Sequence, residues 1–480
     1  MDLVSLTLQE ALQGMREKKF SSVELTQACL TRIRAYNPTI NAFITLVEDE
    51  ALKIAKVCDA RMASGEVAPL LGIPVGLKDN WSARGIKTAA ASKVLDTYIA
   101  PYDAVATRRL RDAGAVIVGK NNMDAWGHGS SGEHSDYGNT HNPWDITRGP
   151  GGSSSGSGAA VACDMVYMAT GTDTGGSIRQ PAAYCNVVGL KPTYGRVPRY
   201  GIIMMGSSFD SIGHLTKTVW DNAYVLSVTA GYDRHDATSS PSPVLDWASL
   251  LSGNPVSGMR IGVPEEYFVD AVDDQVKELS RTALAVLEKA GAKLVPISLS
   301  LTQYTYAVYA VLQTSEVSSN LSRYDGIRYG LPRSVMGDEG KRRIMMGTHS
   351  LSSGYADRYY RHALRARKLV IEEFKRAYES VDVIACPVWP FPPFKLGERS
   401  IDPLKMYLSD VFTAPANVSG NPSLSVPMGF TKEQLPVGIQ FMAPNFREDL
   451  MYRVAYRYEQ ETKWYTHKPD LHGIKNNPSV

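Results

Sequence analysis

Three times along this chain a helical stretch is followed at once by a short apolar run. Thr107–Ala115 (TRRLRDAGA) reads as the end of a helix stopped by Gly114, and Val116–Val118 (VIV) as the buried strand after it. The same order recurs at Ser280–Ala292 with Lys293–Ile297, and at Arg365–Val381 with Val383–Cys386. Gly72–Leu77 (GIPVGL) adds another short buried strand. Such alternation predicts an α/β layered fold around a mostly buried sheet. The first 60 residues read as helices, with Ser21 and Glu24 as a capping box ahead of the apolar series Leu25, Cys29, Ile33. The turn-rich stretches Ser239–Ser242 and Pro387–Pro393 are too short for flexible interdomain linkers, and no repeat is present. The 480 residues therefore read as one large domain.

Charge and composition exclude several classes. A formal net charge of +2 supplies no field for nucleic-acid binding. No apolar run approaches the roughly 18 residues of a membrane span. The opening MDLVSLTLQEALQGMREKK is an amphipathic helix pattern with acidic residues, unlike a signal or transit peptide, so a cytoplasmic location is expected. The cysteines are odd in number and form no CxxC pair, which fits buried free thiols in a reducing compartment rather than a zinc ribbon. Cys29 lies on an apolar helix face with Leu25 and Ile33 and reads as core. The scattered histidines show neither HExxH nor an i,i+4 pair, so no metal site is expected.

Chemistry concentrates in Gly151–Ala160 (GGSSSGSGAA) and Gly171–Arg179 (GTDTGGSIR), with Lys78 upstream at the end of an apolar run. A phosphate-cradling loop is a poor reading, because both the GK[ST] ending and GxGxxG spacing are missing. Gly152–Gly156 formally matches the GxSxG elbow, but an elbow follows a strand, and NPWDITRGP before it carries two prolines and a glycine. A bland spacer does not explain the apolar segment that follows. What remains is a serine nucleophile activated by an amine. A serine hydroxyl is weak until a neighbour takes its proton, and a lysine takes it only when neutral, which burial favours.

The stretches GIPVGLKDN, GGSSSGSGAAVA and GTDTGGSIRQPAA, in this order, resemble the amidase signature family over about residues 70–215. The resemblance implies a single large α/β domain whose central mixed β-sheet is covered by helices on both faces. It implies a Lys–Ser–Ser triad: Ser177 as nucleophile, Ser153 as the bridging serine after a cis Gly152–Ser153 peptide, and Lys78 as base. It also implies an oxyanion hole from the backbone N–H groups of Thr174, Gly175, Gly176 and Ser177. Asp173 and Arg179 read as a charge pair bracing that loop.

Outside the core, Met123–Asp145, Ser318–Gly330, Lys341–Tyr355 and Ser409–Pro427 resemble the glutaminase subunits of tRNA-dependent amidotransferases. The resemblance implies hydrolysis of glutamine within a heterotrimer of this chain and two other subunits. ATP and Mg would act at a partner subunit, which would also hold Glu-tRNA(Gln) or Asp-tRNA(Asn). No cofactor is expected in this chain, and no membrane contact. Glutamine is a zwitterion, so its pocket needs a cation and an anion. The resemblance assigns these to Arg343 and Asp410, lined by Tyr309 and by Gly129, Ser130 and Ser131. Taken alone, Lys341-Arg342-Arg343 reads as a solvated basic face. The connection between Gly330 and Lys341, LPRSVMGDEG, is shorter than the family usually has. A stand-alone amidase acting on another small amide is the alternative reading. A non-catalytic binding protein conflicts with the intact Lys78, Ser153 and Ser177.

Overall fold

The computed structural model describes residues 2–253, 256–399, 406 and 408–471. Eleven strands form one sheet among them: β1 (Phe43–Leu46), β2 (Pro74–Lys78), β3 (Val116–Asn121), β4 (Met168–Asp173), β5 (Val188–Lys191), β6 (Ser211–Thr216), β7 (Arg260–Pro264), β8 (Lys293–Ile297), β9 (Val383–Pro387), β10 (Ser423–Phe430) and β11 (Pro436–Met442). Their order is β1-β3-β2-β4-β6-β5-β10-β11-β9-β7-β8. The β2–β3, β2–β4, β7–β8 and β7–β9 pairs are parallel and the others antiparallel, so the sheet is mixed as expected.

Side-chain parity along β11 shows how the sheet is covered. A Cβ on Gly438 would meet Ala183, and Gln440 bonds Arg179, both in the helix Arg179–Cys185. Phe441, of opposite parity, meets the ring of Tyr458 in the helix Glu448–Thr462. Helices therefore lie on both faces. The helix-then-strand units occur where the sequence put them: Val105–Asp112 before β3, Asp274–Lys289 before β8 and Tyr360–Ser380 before β9. Gly114 ends the first of these with φ +88°, and Leu71 packs too closely against it for a side chain.

The expectation of helices throughout the first 60 residues needs one correction. Ser21 caps the helix Ser22–Ile40 through the reciprocal Glu24 box, and Leu25, Cys29 and Ile33 are fully buried. Asn41 then closes this helix in a left-handed conformation, and Phe43–Leu46 pairs with β3 as an edge strand. Four residues are too few to carry a period, and only the pairing partner reveals the strand. Among the described residues, no helix is long and apolar enough to cross a membrane.

Two packing features position the functional site. The parallel strands β2, β3 and β4 run the same way, so their carboxyl ends, Lys78, Asn121 and Asp173, emerge at one edge, the usual place for a site in such sheets. Behind that edge, Gly171 of β4, Gly189 of β5 and Gly213 of β6 leave space that Ile178 fills; an added Cβ on any of them would lie 2.6–3.1 Å from an Ile178 atom. Ile178 follows Ser177 directly, so this socket fixes where Ser177 sits. A Cβ on Gly213 would also lie 1.9 Å from the backbone oxygen of Leu190, which has no freedom to yield. Gly213→Ala is expected to destabilise the fold by about 1–3 kcal/mol, read as a lowered melting temperature; an unchanged melting temperature would contradict the packing.

Candidate active site

Lys78 closes β2 fully buried, and its backbone N–H donates to Thr170 Oγ1 at 2.9 Å. Its Nζ donates to Ser153 Oγ at 2.8 Å and to Thr172 Oγ1 at 2.9 Å. Asn80 Nδ2 reaches the same threonine hydroxyl at 3.2 Å. Burial pulls the lysine pKa down to about 7, although Asp124, Asp173 and Asp210 favour its charged form. The amine can therefore be neutral near physiological pH.

The Gly152–Ser153 peptide is cis. A Cβ on Gly152 would lie 2.0 Å from Asp124 Oδ2, so no other residue fits this approach. Asp124 binds the segment from both sides: its N–H donates to the Ser153 carbonyl at 3.2 Å, and its carboxylate accepts from the N–H groups of Gly132 and His134. Ser154 N–H donates to the Ser177 carbonyl at 3.0 Å, which ties the two serine loops together. Lys78 and Ser153 are 0% and 1% exposed, whereas Ser177 is 7% exposed and its Oγ makes no hydrogen bond among the described residues. The hydroxyl nearest solvent is the one with no partner.

The loop before Ser177 is held by Asp173. Arg179 meets this carboxylate with two bonds of 3.0 Å, from Nε and Nη2, and both side chains are fully buried. Burial pushes the Asp173 carboxyl up, but Arg179 with Asn417 and Lys191 more than offsets it and holds the pKa at about 2. The expected bracing pair is thus present. One oxyanion donor needs correction: Gly176 N–H donates to Asp173 Oδ1 at 2.9 Å, because the carboxylate turns back into its own loop. The N–H groups of Gly175 and Ser177 have no partner among the described residues. Tyr309 lies against Gly175, where a Cβ would come 2.6 Å from the phenol oxygen. Thr413 Oγ1 donates to the Gly175 carbonyl at 2.5 Å.

The expected substrate residues lie around the same loops. Ser130 Oγ and Gln180 Nε2 donate to Asp410 Oδ1 at 2.7 and 2.8 Å, while Oδ2 accepts nothing among the described residues. Burial raises the Asp410 pKa to about 6, against Gln180, Ser130 and Arg343. Gly129 has φ +139° and packs on Asp124 and His134, and the Ser130 carbonyl accepts from Gly152 N–H at 2.8 Å. Ser131 is fully buried, with its backbone N beside Gly152.

Arg343 departs from the solvated-face reading. The Lys341 and Arg342 side chains are 42% and 40% exposed, but that of Arg343 is 6% exposed. Successive helix residues point 100° apart, so one member of a basic run can face inward. Arg343 Nε donates to Glu339 Oε1 at 2.7 Å and Nη1 to Gln313 Oε1 at 3.1 Å. At the short connection, the Leu331 N–H docks on the Val94 carbonyl and the helix Asp338–Leu351 starts within seven residues of it. Sequence reasoning missed Thr172, Asn80, Asp124, Gln180, Gln313 and Glu339. Only Glu339, four residues before Arg343, carried a visible signal.

A family profile described as amidase matches residues 24–451. The chain belongs to the amidase family. This amidase is 48% identical to a glutamyl-tRNA(Gln) amidotransferase subunit of Geobacter metallireducens, over 98% of this chain and 100% of that protein. Its fold matches the crystal structure of a glutamyl-tRNA(Gln) amidotransferase subunit from Thermotoga maritima with a TM-score of 0.82 and 38% identity, covering 96% and 95% of the two chains. The peptide amidase of Stenotrophomonas maltophilia follows with a TM-score of 0.81 and 34% identity, over 95% of this chain and 97% of that one. Among the described residues, no group of three or more His, Cys, Asp or Glu side chains is arranged to hold a metal ion.

Proposed function

We propose that this amidase is the glutaminase subunit of a tRNA-dependent amidotransferase. What supports the substrate is a pair of buried, oppositely charged side chains acting at the Ser177 loop. A buried carboxylate, Asp410, and a buried guanidinium, Arg343, both act on Tyr309, which covers the Ser177 loop. A neutral simple amide requires neither charge. Glutamine requires both: Arg343 takes its α-carboxylate, and Asp410 takes its α-ammonium through the open Oδ2. Ser130, Gln180 and Tyr309 hold these groups in position, and Gly129 and Ser131 shape the loop around them.

In the reaction, neutral Lys78 receives the Ser177 proton through the Ser153 hydroxyl. Ser177 Oγ bonds to the carboxamide carbon, and the oxyanion is met by the N–H groups of Gly175 and Ser177, with Thr174 next to them. The lysine proton passes to the leaving nitrogen, the C–N bond breaks and ammonia departs. Water, deprotonated along the same route, cleaves the Ser177 ester to give glutamate. Ammonia then serves a partner subunit, where ATP and Mg activate the tRNA-borne carboxylate of Glu-tRNA(Gln) or Asp-tRNA(Asn). The near-neutral chain leaves tRNA to that partner. Five buried free cysteines fit a cytoplasmic setting.

Because the base works only when deprotonated, kcat/KM for glutamine should rise with pH through about 7 and level off above it. Lys78→Arg stays protonated and should lose about 10²–10⁴-fold at every pH; a normal profile in this variant excludes Lys78 as the base. Recognition is tested with truncated amides. Asp410→Asn should lower kcat/KM for glutamine about ten- to hundred-fold but barely affect an amide without the α-ammonium group. Arg343→Ala should do the same relative to an amide without the α-carboxylate. Equal losses on full and truncated substrates would make both residues structural. Native purification should bring down two partner proteins, and glutaminase activity should accompany that complex; a chain that purifies alone and prefers other amides favours the stand-alone reading.

A further inference from the structure

His128 immediately precedes the Gly129–Ser131 loop and is absent from the account above. It is 0% exposed, and neither ring nitrogen has a hydrogen-bond partner among the described residues. An imidazole carries one donor and one acceptor in its neutral form, and buried polar groups are normally paired. Burial holds this imidazole neutral, and Arg343 is the strongest charge acting on it, ahead of His134. Packing agrees with that neighbourhood: a Cβ on Gly340, in the helix that carries Arg343, would lie 3.7 Å from Trp126, two residues before His128. Gln313 provides a second unspent group. Its Oε1 accepts from Arg343 Nη1 at 3.1 Å, so its Nε2 lies near the guanidinium, buried and without a partner among the described residues.

Arginine has no acceptor to offer either group. An anion gripped by Arg343 would accept from both, and it would select the imidazole tautomer that points its N–H inward. Among the described residues, the buried imidazole under the influence of Arg343 and the buried amide beside it both have hydrogen-bonding capacity left unspent. We propose that His128 is a specificity-determining residue that donates a hydrogen bond to the substrate carboxylate held by Arg343, with Gln313 Nε2 beside it. This rests on the glutamine reading above. It adds a neutral donor to the cation, so the carboxylate is recognised by direction as well as by charge.

The test compares L-glutamine with 4-aminobutanamide, which keeps the reacting amide and the amine but lacks the carboxylate. Both are assayed with wild type, His128→Leu and His128→Gln as the purified native assembly, and each variant's melting temperature is measured. His128→Leu should raise KM for glutamine about ten-fold or more, the worth of a hydrogen bond to a charged group, with kcat and the truncated amide changed less than about three-fold. His128→Gln keeps a donor and should recover most of the glutamine KM. An unchanged glutamine KM, or equal losses on both amides, overturns the role of His128 while leaving the glutamine reading intact. A wild type that does not prefer glutamine to 4-aminobutanamide overturns the glutamine reading and this inference with it. If the leucine variant does not fold, His128→Phe, which keeps a ring but carries no donor, decides between the same outcomes.

Discussion

Excluding water from Lys78 is the condition on which the rest of this site depends. A lysine amine in water is charged at neutral pH and cannot take a proton. Here the residue ends a strand buried on both faces, and among the described residues its Nζ hydrogen-bonds to hydroxyls and a carbonyl. Three aspartates lie near enough to draw the proton back: Asp124, Asp173 and Asp210. Each is occupied elsewhere. Asp173 is spent on Arg179 and Asn417, Asp124 on the N–H groups of Gly132 and His134, and Asp210 on Thr174 and the N–H groups of Met205 and Gly206. The chain thus uses these carboxylates to hold loops, and Asp173 is also paired with a cation.

The two tasks of the site come from separate parts of the chain. Residues 78–177 supply the lysine and serines at the carboxyl ends of parallel strands. The buried charged groups come from a helix and a turn 166 residues or more beyond Ser177, Arg343 and Asp410. The join between the two is made by short polar links, Ser130 and Gln180 to Asp410 and Thr413 to Gly175. On the proposed reading, chemistry is carried at the edge of the sheet and recognition on elements joined to it through these links.

That division explains what was legible in the sequence. Lys78, Ser153 and Ser177 stood out because their loops are short, glycine-rich and chemically unusual, and the α/β order was plain wherever a helix led directly into a buried apolar run. The bracing role of Asp173 and Arg179 was readable because both lie within one loop. Arg343 was not: three basic residues in a row look alike until a helix face is assigned and one of them turns inward. Gln313 and His128 carried no signal, since their meaning lies in contacts made across the fold. The strand at Phe43 and the capture of Gly176 N–H by Asp173 were hidden for the same reason. Each depends on a partner that no local pattern names.

The socket of Gly171, Gly189 and Gly213 around Ile178 has a consequence for how this sequence can drift. The three glycines sit on three neighbouring strands, far apart in the chain, yet they share one volume with a single side chain. A methyl group gained at Gly171 must be matched by bulk lost at position 178. Gly189 and Gly213 also face backbone oxygens, so for them even that exchange is closed. A change at position 178 moves its neighbour Ser177, and with it the hydroxyl proposed to react. These four positions are expected to vary, where they vary at all, as a linked set, even though only one of them borders a residue of the triad.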